Sequence, residues 1–456
     1  MPGLNTSMNI AVQALMAEQG ALNVTTNNIA NVNTPGYSRQ IPIFEESPTF
    51  HEGSIFYGTG VTLQQFQSVR DQLLQLRIYE ETGQQGNSQA QLDSLNQIEG
   101  IFADPSQGVG GALSAFFNSL SQLSTNPTDM NARQQVLSAA SNLANAFHQS
   151  VSALGNIQAG LDQAVPQTVN QINQLTGQIA KLNVQVAQMQ GLGKDPGSIQ
   201  DQRDELVRQL SGLVNVAVTQ SEHGITLTTA NGVPLVVAGQ SYALQSGAAS
   251  GGLQGVFAQG RDITSQITGG TLGGTINVRD QVIPQLLSQL DTLASQFTTS
   301  FNAVHQAGSD LSGNAGGDFF TPLASVTGAA SNFGVAITDP SLIAASSDGS
   351  PGSNGNVAQM LAVRDQQLPL GTSPVDAYSN LVLAVGNYGS NAQADVNASD
   401  LSLRQLTDQR SAVSGVSLDE ETTNMIQYQR AYQAAARVVT TVDSMMQTLL
   451  SMGVQG

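Results

Sequence analysis

The chain carries four histidines, His51, His148, His223 and His305, and no cysteine. Imidazole and thiolate are the side chains that most often hold zinc or serve as base and nucleophile. Here no two histidines stand at the spacing that sets two rings on one helix face, and no HExxH occurs. Without cysteine there is neither a disulfide nor a thiolate site. The run "GGTLGGT" lacks both the glycine spacing and the lysine of a phosphate loop. "DLSGNAGGD" (310–318) has the outline of a calcium loop. It places Ala315 where the sharp turn needs glycine, and Thr321 where the bidentate acid should stand. No G-x-S-x-G elbow is present. The residue types predict no catalytic, cofactor or metal chemistry, and a protein that is not an enzyme.

Composition points elsewhere. Of 456 residues, 11% are charged and 40% hydrophobic, with 33 acids against 15 bases and a net charge of −18. That balance argues against a nucleic-acid or anionic-membrane partner. No window of about 18 apolar residues could span a bilayer. The first residues have neither a basic n-region nor a continuous apolar run, so export by a cleaved leader is not expected. Asn, Gln, Ser, Thr, Gly and Ala replace the missing charge, which suits a surface that packs against copies of itself.

The elements follow from periodicity, and predict an α+β chain: a long-helix bundle with coiled-coil character, built from both chain ends and central helices, with a small β-rich insertion. Residues 4–32 read as a helix, with Leu4, Met8, Leu15, Leu22 and Ile29 on one stripe. Glu18 is the only charge before Arg39. Pro35 disfavours helical geometry at Thr34, and Pro35-Gly36 fits the centre of a type II turn. Extended structure follows to residue 68. Leu73, Leu76 and Tyr79, then Leu92, Leu95, Ile98 and Phe102, mark one long helix or two. Another helix ends at Asn126-Pro127, and Arg133 to Phe147 form the next. Residues 161–189 hold heptads, with Val165, Ile172, Ile179 and Val186 on one seam and Thr168, Leu175, Leu182 and Met189 on the other.

From residue 213 to 275 the period changes to two, and Asn231-Gly232 signals a hairpin. This stretch is expected as one β-rich domain inserted among helices. Helices resume at Val282–Val304. Residues 309–356 read as loops with short strands, to which two helices, roughly 374–413 and 418–451, succeed. Ser417 and Glu420 fit a capping box. Met425, Tyr428, Tyr432, Ala435, Val439, Val442, Met446 and Leu449 then step three-four along a helix of about 50 Å. The expected domains are 1–36 with 417–456, weakly ordered in a free chain; 37–212 with 276–416; and 213–275, to which 309–356 could add. One apolar seam against one partner leaves such an end helix marginal, so a second contact surface is expected.

"NNIANVNTPGYSRQ" (27–40) resembles the N-terminal signature of the axial proteins of the bacterial flagellum, the rod, hook and hook-associated proteins. "SGVSLDEETTNMIQYQRAYQAAARVVTTVDSMMQTLL" is similar to the matching C-terminal end. Interior blocks, "NPTDMNARQQVLSAASNLANAFH", "DQRDELVRQLSGLVNVAV" and "GGTLGGTINVRD" among them, resemble the hook-associated proteins that join hook to filament, the first of the two in particular. The resemblance implies a secreted structural protein at the hook–filament junction of the flagellum. It would leave through the flagellar type III channel and assemble with itself as a ring. Hook protein, the second junction protein and an export chaperone on the C-terminal helix would be its partners. Asn28, Asn31, Thr34, Pro35, Gly36 and Tyr37 match the N-terminal signature, with the expected role of ending the inner helix and aiming the chain onward. Leu15, Leu22 and Ile29 would pack that helix against the C-terminal stripe. A sister axial protein is the nearest alternative reading. A secreted hydrolase with helical arms is the alternative from another class.

Overall fold

The computed structural model describes residues 2–52, 55–102, 108–221, 224–369 and 371–453. His223 lies outside them. The chain forms two compact units, with three of the four divisions inside long helices and the fourth at the start of a strand.

The first unit comprises residues 1–84, 171–244 and 399–456. Its first helix, α1 (Pro2–Ala30), opens with proline near its start, where no backbone donor is lost. Strands β1 (Gln40–Glu46) and β4 (Val61–Ser68) pair antiparallel, with a bulge between Ile43 and Phe44, while β2 (Phe50–Glu52) and β3 (Ile55–Tyr57) form a hairpin between them. Helix α2 (Gln72–Phe102) starts here. The C-terminal part of α4 (Met130–Gly191), then α5 (Gly197–Leu213), leads into a meander of β5 (Val216–Ser221), β6 (Gly224–Thr229), β7 (Pro234–Val237) and β8 (Gln240–Ser241). Gly232 has φ +81°, as the Asn231-Gly232 turn requires. The chain end supplies α10 (Leu418–Gly453), which packs along α1.

The second unit comprises residues 85–170 and 245–398. It holds α3 (Val109–Thr125), much of α4 (Met130–Gly191), the three-stranded sheet of β9 (Leu244–Ala248), β10 (Gln254–Ala258) and β11 (Arg261–Asp262), and four helices: α6 (Gly270–Asn277), α7 (Ile283–Gln306), α8 (Gly355–Ala362) and α9 (Pro374–Ser414). A π-turn, Val278–Val282, joins α6 to α7. The core is aromatic. Phe116, Phe297, Phe301, Phe319 and Phe320 are at most 1% exposed, and their ring centroids lie 4.8–6.2 Å apart.

Three expectations need correction. The helices read at 133–147 and 161–189 are one, α4, with Pro166 in its interior. Proline removes a backbone donor there, yet Leu154 is fully buried and Val151, Ile157 and Leu161 pack on the same core, which carries the helix through. The single β-rich insertion is two separate sheets, β5–β8 and β9–β11. At the break, the Asn173 side chain of α4 takes both backbone groups of Leu244, at 2.7 and 2.8 Å, in place of a neighbouring strand. Residues 309–356 contain isolated bridges but no strand among the described residues.

That segment is nevertheless buried, held by side chains that bind its backbone. Asn302 accepts from Phe319 and Phe320 N–H and donates to Phe320 C=O. Asp291 accepts from Gly328 and Ala330 N–H. Arg133, 1% exposed, donates to the carbonyls of Pro127 and Ile343. Asp310, read as the first ligand of a calcium loop, has its carboxylate taken up by Ser312 N–H, Asn314 N–H and the Asn314 amide. A carboxylate so occupied has little left to offer a cation.

Candidate functional site

The quoted N-terminal signature closes on itself and on the other end of the chain. Helix α1 ends where Asn31 N–H still reaches Asn27 C=O. The Asn31 side chain donates to Asn27 and accepts from the Thr34 hydroxyl, so the last turn is satisfied locally. Thr34 to Tyr37 then form the expected turn: Tyr37 N–H donates to Thr34 C=O at 3.2 Å, and Gly36 has φ +82°.

Asn28 does more than end a helix. It is 1% exposed and makes four hydrogen bonds. Its amide donates to Gln40 C=O at 2.8 Å and to the Glu421 carboxylate at 3.1 Å. Its carbonyl accepts from Gln40 N–H at 3.0 Å and from the Tyr37 hydroxyl at 2.9 Å. One carboxamide therefore joins α1, the turn, β1 and α10. Asn is suited because donor and acceptor sit side by side, matching both backbone groups of one extended residue. The same device recurs where Asn183 binds Ile225 C=O and N–H.

Charges complete the junction. Arg39 pairs with Glu420, and at 2.8 Å with Glu421, whose side chain is 2% exposed. Glu420, expected to close a capping box, turns to Arg39 instead, because a cation lies within reach. Ser38 gives both its N–H and its hydroxyl to Asp201 of α5. Arg70 pairs with Asp201 at 2.7 Å and Asp204 at 2.8 Å, and Arg410 donates to Gly36 C=O. Burial raises the Asp201 carboxyl even against Arg70. Burial, then the charges of Asp201 and Glu421, pushes the Tyr37 phenol up to about 12. Tyr37 thus stays a neutral donor to Asn28. A groove of about 680 Å³ opens beside the turn, lined in part by Asn31, Thr34, Pro35, Tyr37, Lys181 and Glu205.

The predicted residues are brought together unevenly. On α1, Leu15, Leu22 and Ile29 are half-buried, whereas the fully buried face is Ala11, Ala17, Ala21, Val24, Thr25 and Asn28. Small residues leave room for side chains of the neighbouring strand: a Cβ on Gly20 would collide with the Leu63 side chain of β4. Thr34 and Pro35 are exposed; Asn31, Gly36 and Tyr37 are half-buried. On α10, Val442 is buried, and Met425, Tyr428, Ala435, Val439 and Met446 are half-buried. Tyr428 meets Phe44 of β1 with centroids 6.4 Å apart. Tyr432 (37%) and Leu449 (38%) remain exposed. The reason is that α10 has one helix against it for much of its length, and a three-four stripe is wider than one such contact. Sequence reading missed Ser38, Arg39, Arg70, Asp201 and Glu421. The available signal was rarity: Arg39 and Glu421 are among few charges near either end.

Comparison with known proteins agrees with this geometry. The flagella basal body rod protein family matches residues 8–37, and the C-terminal family of flagellar basal body rod FlgEFG proteins matches 408–452. These are the two segments that Asn28 ties together through Glu421, and they define an axial structural protein of the flagellum. Between them, the helical domain of flagellar hook-associated protein FlgK matches residues 95–320. Flagellar hook-associated protein 1 of Bacillus subtilis (strain 168) is 32% identical, covering 98% of this chain and 98% of that protein. The protein of the same description from Salmonella typhimurium (strain LT2) is 28% identical over 98% of this chain and 100% of its own length. The solved flagellar hook junction protein FlgK from Burkholderia pseudomallei has the same fold, with TM-score 0.66 and 18% identity over 74% of this chain and 100% of its own. The chain belongs to the flagellar hook-associated protein 1 family, whose members are structural proteins of the hook–filament junction.

Proposed function

We propose that this chain forms the ring joining hook to filament, and that its paired ends are the surface through which copies meet. It acts by packing and not by catalysis. Hook protein lies on one side and the second junction protein on the other. The chain leaves through the flagellar type III pathway, with an export chaperone on the C-terminal helix, to a site outside the cell. Residues 1–36 with 417–456 act as the innermost domain. There Asn28, Asn31, Thr34, Pro35, Gly36 and Tyr37 end α1 and aim the chain into β1, while Leu15, Leu22 and Ile29 share the packing with the α10 stripe.

One observation carries the reading. Helix α10 pairs with α1 along one face and leaves Ile426, Val438, Met445, Leu450 and Met452 46–70% exposed. A soluble helix normally shows water a charged face; this one presents aliphatic side chains that a neighbouring copy would cover. Deleting the gene tests the reading: cells should bear hooks without filaments and spill flagellin into the medium. Full-length filaments on the deleted strain would overturn it. The weak ordering of the free ends is tested by hydrogen exchange on the monomer, where strong protection across 4–32 and 418–449 would exclude it.

A further inference from the structure

A cavity of about 110 Å³ lies wholly within the first unit, among the start of α2, α5, β5 and the end of α9. Three guanidiniums line it: Arg70 just ahead of α2, Arg203 of α5 and Arg410 of α9. They are unequally paired. Arg70 is held by Asp201 at 2.7 Å and Asp204 at 2.8 Å. Arg203 is 5% exposed, yet its contacts are long, 3.3 Å to Asp204 and 3.4 Å to the Asn183 carbonyl oxygen. Its Nε, like that of Arg70, is buried without a hydrogen-bond partner among the described residues. Arg410 gives one N–H to Gly36 C=O and stands in no ion pair among the described residues. A buried cation with only two outlying bonds is costly unless something else binds it.

The acids nearby are already engaged. Asp71 caps α2, accepting from Leu74 N–H at 3.0 Å. Asp204 is shared between Arg70 and Arg203, and Asp201 takes Ser38 as well as Arg70. Glu205, within the field of Arg410, is bound by both arms of Arg208 at 2.7 and 2.9 Å. Burial lifts the Tyr79 phenol on the cavity wall well above its ordinary value, so it stays neutral. Ser414, one turn beyond Arg410 and 2% exposed, adds a hydroxyl to the same wall.

The space and the donors select the ligand. Such a volume holds a few waters or one group of about four or five heavy atoms, whereas sites for ordinary metabolites run to about 300–1,000 Å³. Guanidinium forks match the paired oxygens of a carboxylate or a phosphate. We propose that the cavity binds a small oxyanion, a carboxylate or a phosphate-sized ion, held by Arg203 and Arg410 with a further hydrogen bond from Ser414. Bound there, it fixes Arg410, and through it the Gly36 carbonyl in the turn that follows α1. The site stands independently of the ring reading.

Isothermal titration calorimetry on the purified full-length chain tests this, with sodium phosphate and sodium acetate each replacing sodium chloride at fixed ionic strength. The expected result is saturable binding of at least one of the two. Arg410→Gln should weaken it at least tenfold. Ser414→Ala, which keeps every charge, should weaken it about threefold, and it carries the test if Arg410→Gln does not fold. Arg208→Gln, whose guanidinium lies outside the cavity, should leave it unchanged. Tighter binding of acetate assigns the site to a carboxylate such as an acidic side chain carries, and tighter binding of phosphate assigns it to a free tetrahedral ion. No saturable heat with either ion in the wild-type chain would overturn the proposal. So would binding that Arg410→Gln and Ser414→Ala leave as tight, or an equal loss in Arg208→Gln.

Discussion

Residues 309–356 and helix α10 are opposites. The first has no regular element longer than a turn or bridge, apart from the start of α8, yet it buries Phe319, Phe320, Phe333 and Ile343 completely. The second is an unbroken helix of 36 residues in which Glu421 and Val442 are the buried side chains. Regularity and burial are therefore separate properties. An irregular backbone can be buried when side chains such as Asn302, Asp291 and His305 satisfy its amides. A helix satisfies its own amides and can stand nearly bare, but then its apolar surface has no use inside the chain. The irregular segment buries its phenylalanines, and the regular one leaves most of its large apolar side chains exposed.

The contrast can be broken most severely in the aromatic core. Phe297→Ala removes a ring packed against Phe116, Phe320 and Phe333, and should cost about 3–5 kcal/mol in denaturant unfolding. A loss below about 1 kcal/mol would show that the segment is not held by that core. Next is Asn28→Ala, which strands Gln40 N–H and C=O and the Tyr37 hydroxyl; about 1–3 kcal/mol should be lost locally, seen as faster amide exchange across 37–46.

Acid should act on the irregular segment in particular. His305 Nδ1–H faces Gly317 C=O at 2.8 Å, and its Nε2 accepts from Ala344 N–H at 2.9 Å. Only a neutral ring can do both. Burial lowers its pKa below the ordinary value, with Arg133 adding to the effect and the Gly317 bond and Asp318 opposing it. A lowered histidine pKa means stability present above the unfolded value of about 6.5 and lost as pH falls below it. The unfolding midpoint should drop between pH 7 and 5, and His305→Gln should flatten that drop. A wild-type midpoint constant over the range would contradict this account. Gly36→Ala comes next, at about 1–2 kcal/mol for the positive φ, by thermal unfolding. The smallest monomer effect belongs to α10: Met445→Ser should shift monomer unfolding by no more than about 0.5 kcal/mol, yet reduce filament-bearing cells. A large shift in the monomer would mean that the exposed face is already covered.

Much of this was legible in advance. Helix α1 and its stop, the Pro35-Gly36 turn, the Asn231-Gly232 hairpin and the span of α10 follow from local rules about proline, glycine and side-chain spacing, which act over a few residues. The resemblance of the two ends to flagellar axial proteins lay in residues 27–40 and 414–450. Continuity of α4 through Pro166 was not legible, because it depends on residues 151–161 packing against distant ones. Nor was the identity of the buried face of α1: Leu15 and Leu22 are more apolar than Ala17 and Ala21, yet the alanines are the ones buried once α10, β1 and β4 pack on the helix.

The sequence alone determined the ends as long, weakly charged helices, the turn between α1 and β1, and the family. Each is set by residue type and by spacing along the chain. Tertiary structure alone decided that Asn28 joins both ends, that Arg39 turns to Glu420 and Glu421, and that one Glu18 oxygen is buried without a hydrogen-bond partner among the described residues. Those facts depend on which groups meet across some 400 positions, and a partner's distance in space is not written in the order of residues.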